Sequence, residues 1–293
     1  MRTPLLVALV AALTCTPSAA QTGKKVFISA DMEGISGISG SDQLSASGAE
    51  YNRSRRLMAD DVNATIRGAL AGGATEIVVN DSHGSMRNLR VEDLHPAARL
   101  ISHSFKRYGM MQGLDETFDA VIFIGYHAKA GGERGVFAHT GSGVVRDVRV
   151  NGRSLGEGGL NALVAGWYGV PVVLVTGDDV AVAEVQASAP GARTVAVKRA
   201  VNPRAVELRP LDEVRREIEE AARAAVSAAT RTAPARDAAY NVELQLQNTL
   251  IPEVAEILPG MTRPAPDTIA FTTDSMPHAY SLIRLLYRFI NPD

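Results

Sequence analysis

The stretch Val26-Phe27-Ile28-Ser29-Ala30-Asp31-Met32-Glu33-Gly34 decides how this chain is read. An apolar, β-prone run stops abruptly at two acids and a glycine. Alternation along a strand sends Asp31 and Glu33 to one side and Met32 to the other. Gly34 then frees the backbone for a turn, continued by Ser36-Gly37-Ile38-Ser39-Gly40. Two carboxylates on one side of a strand end repel each other unless a positive charge sits between them. A divalent metal ion meets that need, whereas a solvated strand end followed by a polar loop does without one. The stretch alone leaves both readings open.

Working outward, residues 46–71 place Tyr51, Met58, Val62, Ile66 and Leu70 at helical spacing, and Gly72-Gly73 ends the run. Glu76-Ile77-Val78-Val79-Asn80 follows as a short apolar strand ending in Asp81-Ser82-His83-Gly84. Strand, helix, strand in this order predicts a βαβ unit with parallel strands. Further strands are expected at 99–102, 120–125, 172–176, 194–198, 240–246 and 268–273. Helices are expected at 160–168, 180–189, 211–230 and 279–289. Asn151-Gly152 signals a tight hairpin. The fold class is therefore α/β, a mainly parallel sheet with flanking helices, followed by a smaller α+β C-terminal subdomain. The expected division is a signal peptide at 1–20, a metal-binding catalytic domain at 21–190 and the subdomain at 191–293.

Composition narrows the function. With 46% hydrophobic and 21% charged residues, the 293-residue chain is ordinary for a globular protein. A net charge of -2 and the lack of any basic run argue against a nucleic-acid partner. Arg2, the apolar residues 5–13 and the small residues Ser18-Ala19-Ala20 have the layout of a secretory signal. That segment is too short for a membrane span, and no later stretch is long and apolar enough. The expectation is export, to the periplasm. Cys15 is the sole cysteine and lies inside the signal, where lipid attachment is the lesser alternative. The mature chain then has no cysteine, so a metal site must use His and carboxylates.

In an open parallel sheet, ligands bind beyond the carboxyl ends of the strands. Three such ends carry metal-capable groups here: Asp31 with Glu33, then His83, then His127. A lone histidine after a strand is more often a hydrogen-bonded loop residue, but three ends in one pattern favour a shared site. Asp178-Asp179 reads better as a cap for the following helix. His95, His103 and His278 read as surface, packing or local capping groups. Taken singly, Glu157 is a solvated loop acid among glycines and His139 a strand surface residue.

Five blocks together carry a family resemblance. They are Ser29-Ala30-Asp31-Met32-Glu33-Gly34-Ile35-Ser36-Gly37, Val79-Asn80-Asp81-Ser82-His83, Gly125-Tyr126-His127-Ala128, Gly156-Glu157-Gly158-Gly159-Leu160-Asn161-Ala162, and Gly177-Asp178-Asp179. In this order, over roughly residues 25–200, they resemble the D-aminopeptidases of the DppA type, the M55 metallopeptidases. The resemblance implies two zinc ions per chain, held by Asp31, Glu33, His83, His127 and Glu157; it does not say which carboxylate bridges, and Asp31 is the expected one. It also implies a catalytic role for His139, although the stretch from His127 to His139 is one residue longer than the family pattern. The implied activity is removal of an N-terminal residue, a D-residue, from short peptides by a metal-activated water. The implied assembly is a homo-oligomer, a ring-like decamer. Asp81 or Asn80 is expected to orient a ligand histidine. Two other readings use the same residues: a two-metal phosphoesterase, for which Lys129 is the nearest cation, and a non-catalytic exported metal-binding protein.

Overall fold

The structure, a computed structural model, describes residues 23–290. The expected signal segment, with Cys15, lies outside them. The chain begins with β1 (Lys24–Ala30), α1 (Tyr51–Ala71), β2 (Ala74–Asp81), β3 (Ala98–Ile101) and β4 (Ala120–Tyr126). A hairpin of β5 (Val145–Val150) and β6 (Arg153–Ser154) leads to α2 (Glu157–Trp167), β7 (Val172–Asp178) and α3 (Asp179–Ser188). Then come β8 (Arg193–Ala200), β9 (Val206–Leu208), α4 (Leu211–Ala228), β10 (Tyr240–Leu246) and α5 (Leu250–Ala255). The chain closes with β11 (Met261–Ala265), β12 (Thr268–Thr273) and α6 (Met276–Arg288).

Seven strands form one sheet in the order β3-β2-β1-β4-β7-β8-β9, parallel throughout except for the last pairing. From β1 the order runs outward through β2 and β3 on one side and through β4 and β7 on the other. The strand order therefore reverses between β1 and β4, and the crevice beyond their carboxyl ends is where such sheets bind ligands. The pleat of β1 divides its side chains between two cores. Val26, Ile28 and Ala30 meet Met58, Val62 and Ile66 of α1 and Val214, Ile218 and Ala222 of α4. Phe27 faces Phe118, and its side of the sheet packs on Leu160 and Val164 of α2 and on the second sheet through Val148, Val242 and Leu244.

That second sheet is antiparallel, in the order β11-β12-β10-β5-β6. The hairpin between β5 and β6 turns at Asn151 and Gly152, with φ of 50° and 78°, the paired positive values of a tight primed turn. The sheets do not part at residue 190. β5 and β6, from the first half, pair with β10 in the antiparallel sheet. Conversely β8, β9 and α4, from the second half, complete the parallel layer. The amphipathic pattern of α4 marks a buried face but not which sheet it covers. Two strands, β9 and β11, and the short helix α5 also escaped the sequence reading, because each is too short to show a periodicity.

Gly34 serves a different purpose from the one its position suggests. It is Gly37 that takes positive φ, 79°. At Gly34 a Cβ would run into the carbonyl oxygen of Tyr126, and the Gly34 amide donates to the Gly125 carbonyl at 2.8 Å. The loops after β1 and β4 thus cross in direct backbone contact, which brings Asp31, Glu33 and His127 to one place.

Candidate metal centre

The acids after β1 and the histidine after β2 form the first group. His83 Nδ1 lies 2.9 Å from Glu33 Oε2 and 3.3 Å from Asp31 Oδ1. Its other ring nitrogen lies 2.7 Å from the Leu44 carbonyl, which makes Nε2 the donor and turns the Nδ1 lone pair toward the acids. The second group lies across Asp31. His127 Nε2 is 3.4 Å from Asp31 Oδ2 and 3.4 Å from Glu157 Oε2, while His127 Nδ1 contacts the Ala128 carbonyl at 2.9 Å. Asp31 therefore addresses one group with each oxygen. Asp31, Glu33, His83, His127 and Glu157 are all buried.

The outer acceptors of both histidines are main-chain carbonyls, not the side chains of Asp81 or Asn80. Asp81 instead accepts from the Asn88 and Leu89 amides and from the Asn88 side chain, which in turn donates to the His83 carbonyl. It fixes the loop that carries His83. Asn80 accepts from Lys106 and donates to the Gly109 carbonyl. Asp178 caps α3 through the Val180 and Ala181 amides and also accepts from the Val136 amide. It is not among the clustered ligands. His95, His103 and His278 likewise stand outside both groups.

His139 joins the second group. Its ring stacks on His127 with centroids 4.0 Å apart and planes 6° from parallel, and its Nε2 is 3.7 Å from Glu157 Oε1. The Phe137 carbonyl, 2.8 Å from Nδ1, makes Nε2 the free nitrogen. Its own amide bonds to the Ala128 carbonyl at 3.1 Å. Residues 131–134, between His127 and His139, are largely exposed, and His139 reaches the site.

These residues fit divalent metal. His127 Nε2 is buried and has no hydrogen-bond partner, although it points between two carboxylates. An orphaned ring nitrogen in that setting is a ligand atom waiting for a cation. The electrostatics agree. Burial, with the charges of Glu33 and Glu157, pushes the Asp31 carboxyl up to about 7. Burial works against Glu33 and Glu157 too, but the neighbouring histidines outweigh it; His83 holds Glu33 well below the usual range, and His127 holds Glu157 at about 2. The same acids raise His83 and His127 well above the ordinary imidazole value against the effect of burial. The cluster is short of positive charge, and it borrows protons to make up the deficit.

A layer of buried polar groups beneath the ligands was not legible as function. Tyr126 donates to Ser29, Ser29 shares a proton with Ser82, and Asn161 donates to the Tyr126 hydroxyl, each at 2.8 Å. Lys198 is 1% exposed, and its ammonium donates to the carbonyls of Glu33, Ile35 and Ile38 at 2.5, 3.3 and 2.8 Å. It ties down the loop that carries Glu33. A lysine inside the apolar run Val195-Ala196-Val197-Lys198 was the available signal. Lys198→Met would strand three buried carbonyls. The expected loss of stability is about 2–4 kcal/mol, read as a lower urea midpoint at unchanged slope.

The comparisons with known proteins agree with this geometry. The model of the M55 peptidase family described as D-aminopeptidase matches residues 24–285. The chain belongs to the M55 D-aminopeptidase family. A curated relative, the D-aminopeptidase of Bacillus subtilis (strain 168), is 45% identical over 183 residues. That alignment spans 62% of this chain and 66% of the relative, just under two thirds of it. The solved Zn-dependent D-aminopeptidase DppA from Bacillus subtilis, described as a self-compartmentalizing protease, superposes with a TM-score of 0.84 at 36% identity. The superposition covers 89% of this chain and 96% of the other. M55 membership thus extends over both sheets, well beyond the five blocks that carried the resemblance.

Proposed function

We propose that this chain is a zinc-dependent D-aminopeptidase that removes N-terminal D-residues from short peptides. The observation that carries it is the straddling position of Asp31, with Oδ1 toward His83 and Oδ2 toward His127. Asp31, Glu33 and His83 would hold one ion, and Asp31, His127 and Glu157 a second. Metal bound there supplies an acidified water and polarises the scissile carbonyl.

The protein's own groups do the rest. Glu157 is steadied by the Gly141 amide on Oε1, which leaves Oε2 for the ligand group. His139, with Nδ1 anchored on Phe137 and Nε2 facing the cleft, is the group placed to donate to a developing oxyanion or to return a proton to the leaving amine. Its ring is held flat against His127, so that proton is delivered from a fixed position.

Membership in a peptidase family favours this reading over a phosphoesterase or a non-catalytic metal carrier. No helix among the described residues is long and apolar enough to cross a membrane. Export to the periplasm rests on the layout of residues 1–20 and would place the enzyme among D-Ala-containing peptides of cell-wall turnover. The self-compartmentalizing relative supports assembly as a homo-oligomer, and the family resemblance supports a decamer.

The deciding measurement is amino-acid release from matched D-Ala and L-Ala dipeptides by the purified mature chain with zinc, against a chelated control. Metal-dependent cleavage of the D-peptide alone is expected. Cleavage of the L-peptide would keep the site and overturn the stereochemistry. Inertness toward both, with zinc bound, would overturn the activity.

A further inference from the structure

The cleft above the ligands has two electrically opposite walls. One carries Asp31, Glu33 and Glu157, and the other, from α6, carries Arg284, Tyr287 and Arg288. Arg284 is 4% exposed. Among the described residues its guanidinium meets no carboxylate; one nitrogen donates to the carbonyls of Lys106 and Arg107. Lys106, also buried, donates to the Asn80 side chain and the Asp81 carbonyl and forms no ion pair either. Arg288, one turn beyond Arg284, donates to the Gly84 carbonyl at 3.2 Å and is otherwise exposed.

A buried guanidinium normally keeps a carboxylate beside it, because carbonyl dipoles alone do not replace the water it has lost. Here the cation lines the same cleft as the metal ligands. An arginine fork is the group best matched to a carboxylate, which it grips through two parallel hydrogen bonds. A peptide held by its amino end at the metal centre has one other charge, its C-terminal carboxylate. An extended residue spans at most about 3.6 Å, so a peptide of two or three residues reaches on the order of 7–11 Å, and the arginines and the acids line one cleft.

We propose that Arg284 and Arg288 seat the free C-terminal carboxylate of the substrate, so that the enzyme selects very short peptides with an unblocked C-terminus. The proposal rests on the aminopeptidase reading above. It makes α6 the specificity wall and the loops after β1, β2 and β4 the reacting wall. The competing view is that Arg284 only pins the 106–109 loop, where its side chain occupies the space a Cβ on Gly109 would need.

The test compares D-Ala-D-Ala with its C-terminal amide on the zinc-loaded enzyme and on Arg288→Gln, Arg284→Gln and Arg284→Lys. In the wild type, amidation is expected to lower kcat/KM by about 10- to 100-fold, chiefly through KM, as loss of a charged hydrogen bond would. Amidation also alters the substrate amine, so the acid-to-amide ratio in each variant is the quantity that decides. That ratio is expected to fall toward one in Arg288→Gln and Arg284→Gln, with part of the preference kept in Arg284→Lys. Should the Arg284 variants not fold, the wild-type pair and the exposed Arg288→Gln still decide. Equal rates on acid and amide in the wild type, or an unchanged ratio in Arg288→Gln, would overturn the proposal and leave the aminopeptidase reading intact. Failure to cleave either peptide would instead remove that reading and the proposal with it.

Discussion

Asp31→Asn is expected to lower kcat/KM on the order of 1,000-fold or more and to release both metal ions. The reason is geometric. Asp31 is the one carboxylate that faces both ligand groups, so the amide would offer one group only a neutral oxygen and the other an N–H donor, and would remove the negative charge from both. Glu33→Gln touches only the first group and is expected to release one ion. Metal content by atomic absorption, beside kinetics on a D-dipeptide, separates the two. Stability gives an independent check. In the metal-free chain the Asp31 carboxyl, raised to about 7 from its unfolded 3.8, binds a proton more tightly folded than unfolded. Its contribution is therefore favourable in acid and is lost as pH rises between those two values. Metal-free Asp31→Asn should be at least as stable at pH 8 as the metal-free wild type, against the usual cost of changing a buried residue. A less stable variant would mean that Asp31 is a structural acid.

His139→Ala is expected to lower kcat by about 100- to 10,000-fold, the range for losing a positioned acid or base, with both ions retained. The second clause matters, because His139 Nε2 also lies in reach of the group formed by His127 and Glu157. Loss of one ion from the variant would make His139 a ligand. Retention, with kcat reduced and KM little changed, would make it the group that acts on the substrate.

Much of the site was legible because its residues follow recognisable strand ends. Asp31 and Glu33 close one apolar run, His83 another and His127 a third, and the rule that parallel sheets bind at their carboxyl ends did the rest. Glu157 was legible only through a family block and His139 only through the family's further histidine; alone, each resembled a surface residue. Lys198 and Arg284 were missed because a cation in an apolar pattern reads as a face boundary, and nothing local reveals that its partners are carbonyls more than 100 positions away.

By itself the sequence determined the strands that carry the ligands, the cysteine-free donor set and the α/β class, since these depend on periodicity and residue type over short windows. The tertiary structure decided what depends on distant segments meeting. It assigned α4 and β8 to the parallel layer and β5 to the antiparallel sheet. It gave Gly34 its reason, a crossing too tight for any Cβ. It also oriented His83 through the Leu44 carbonyl, because that hydrogen-bond partner is set by proximity in space, which spacing along the chain does not encode.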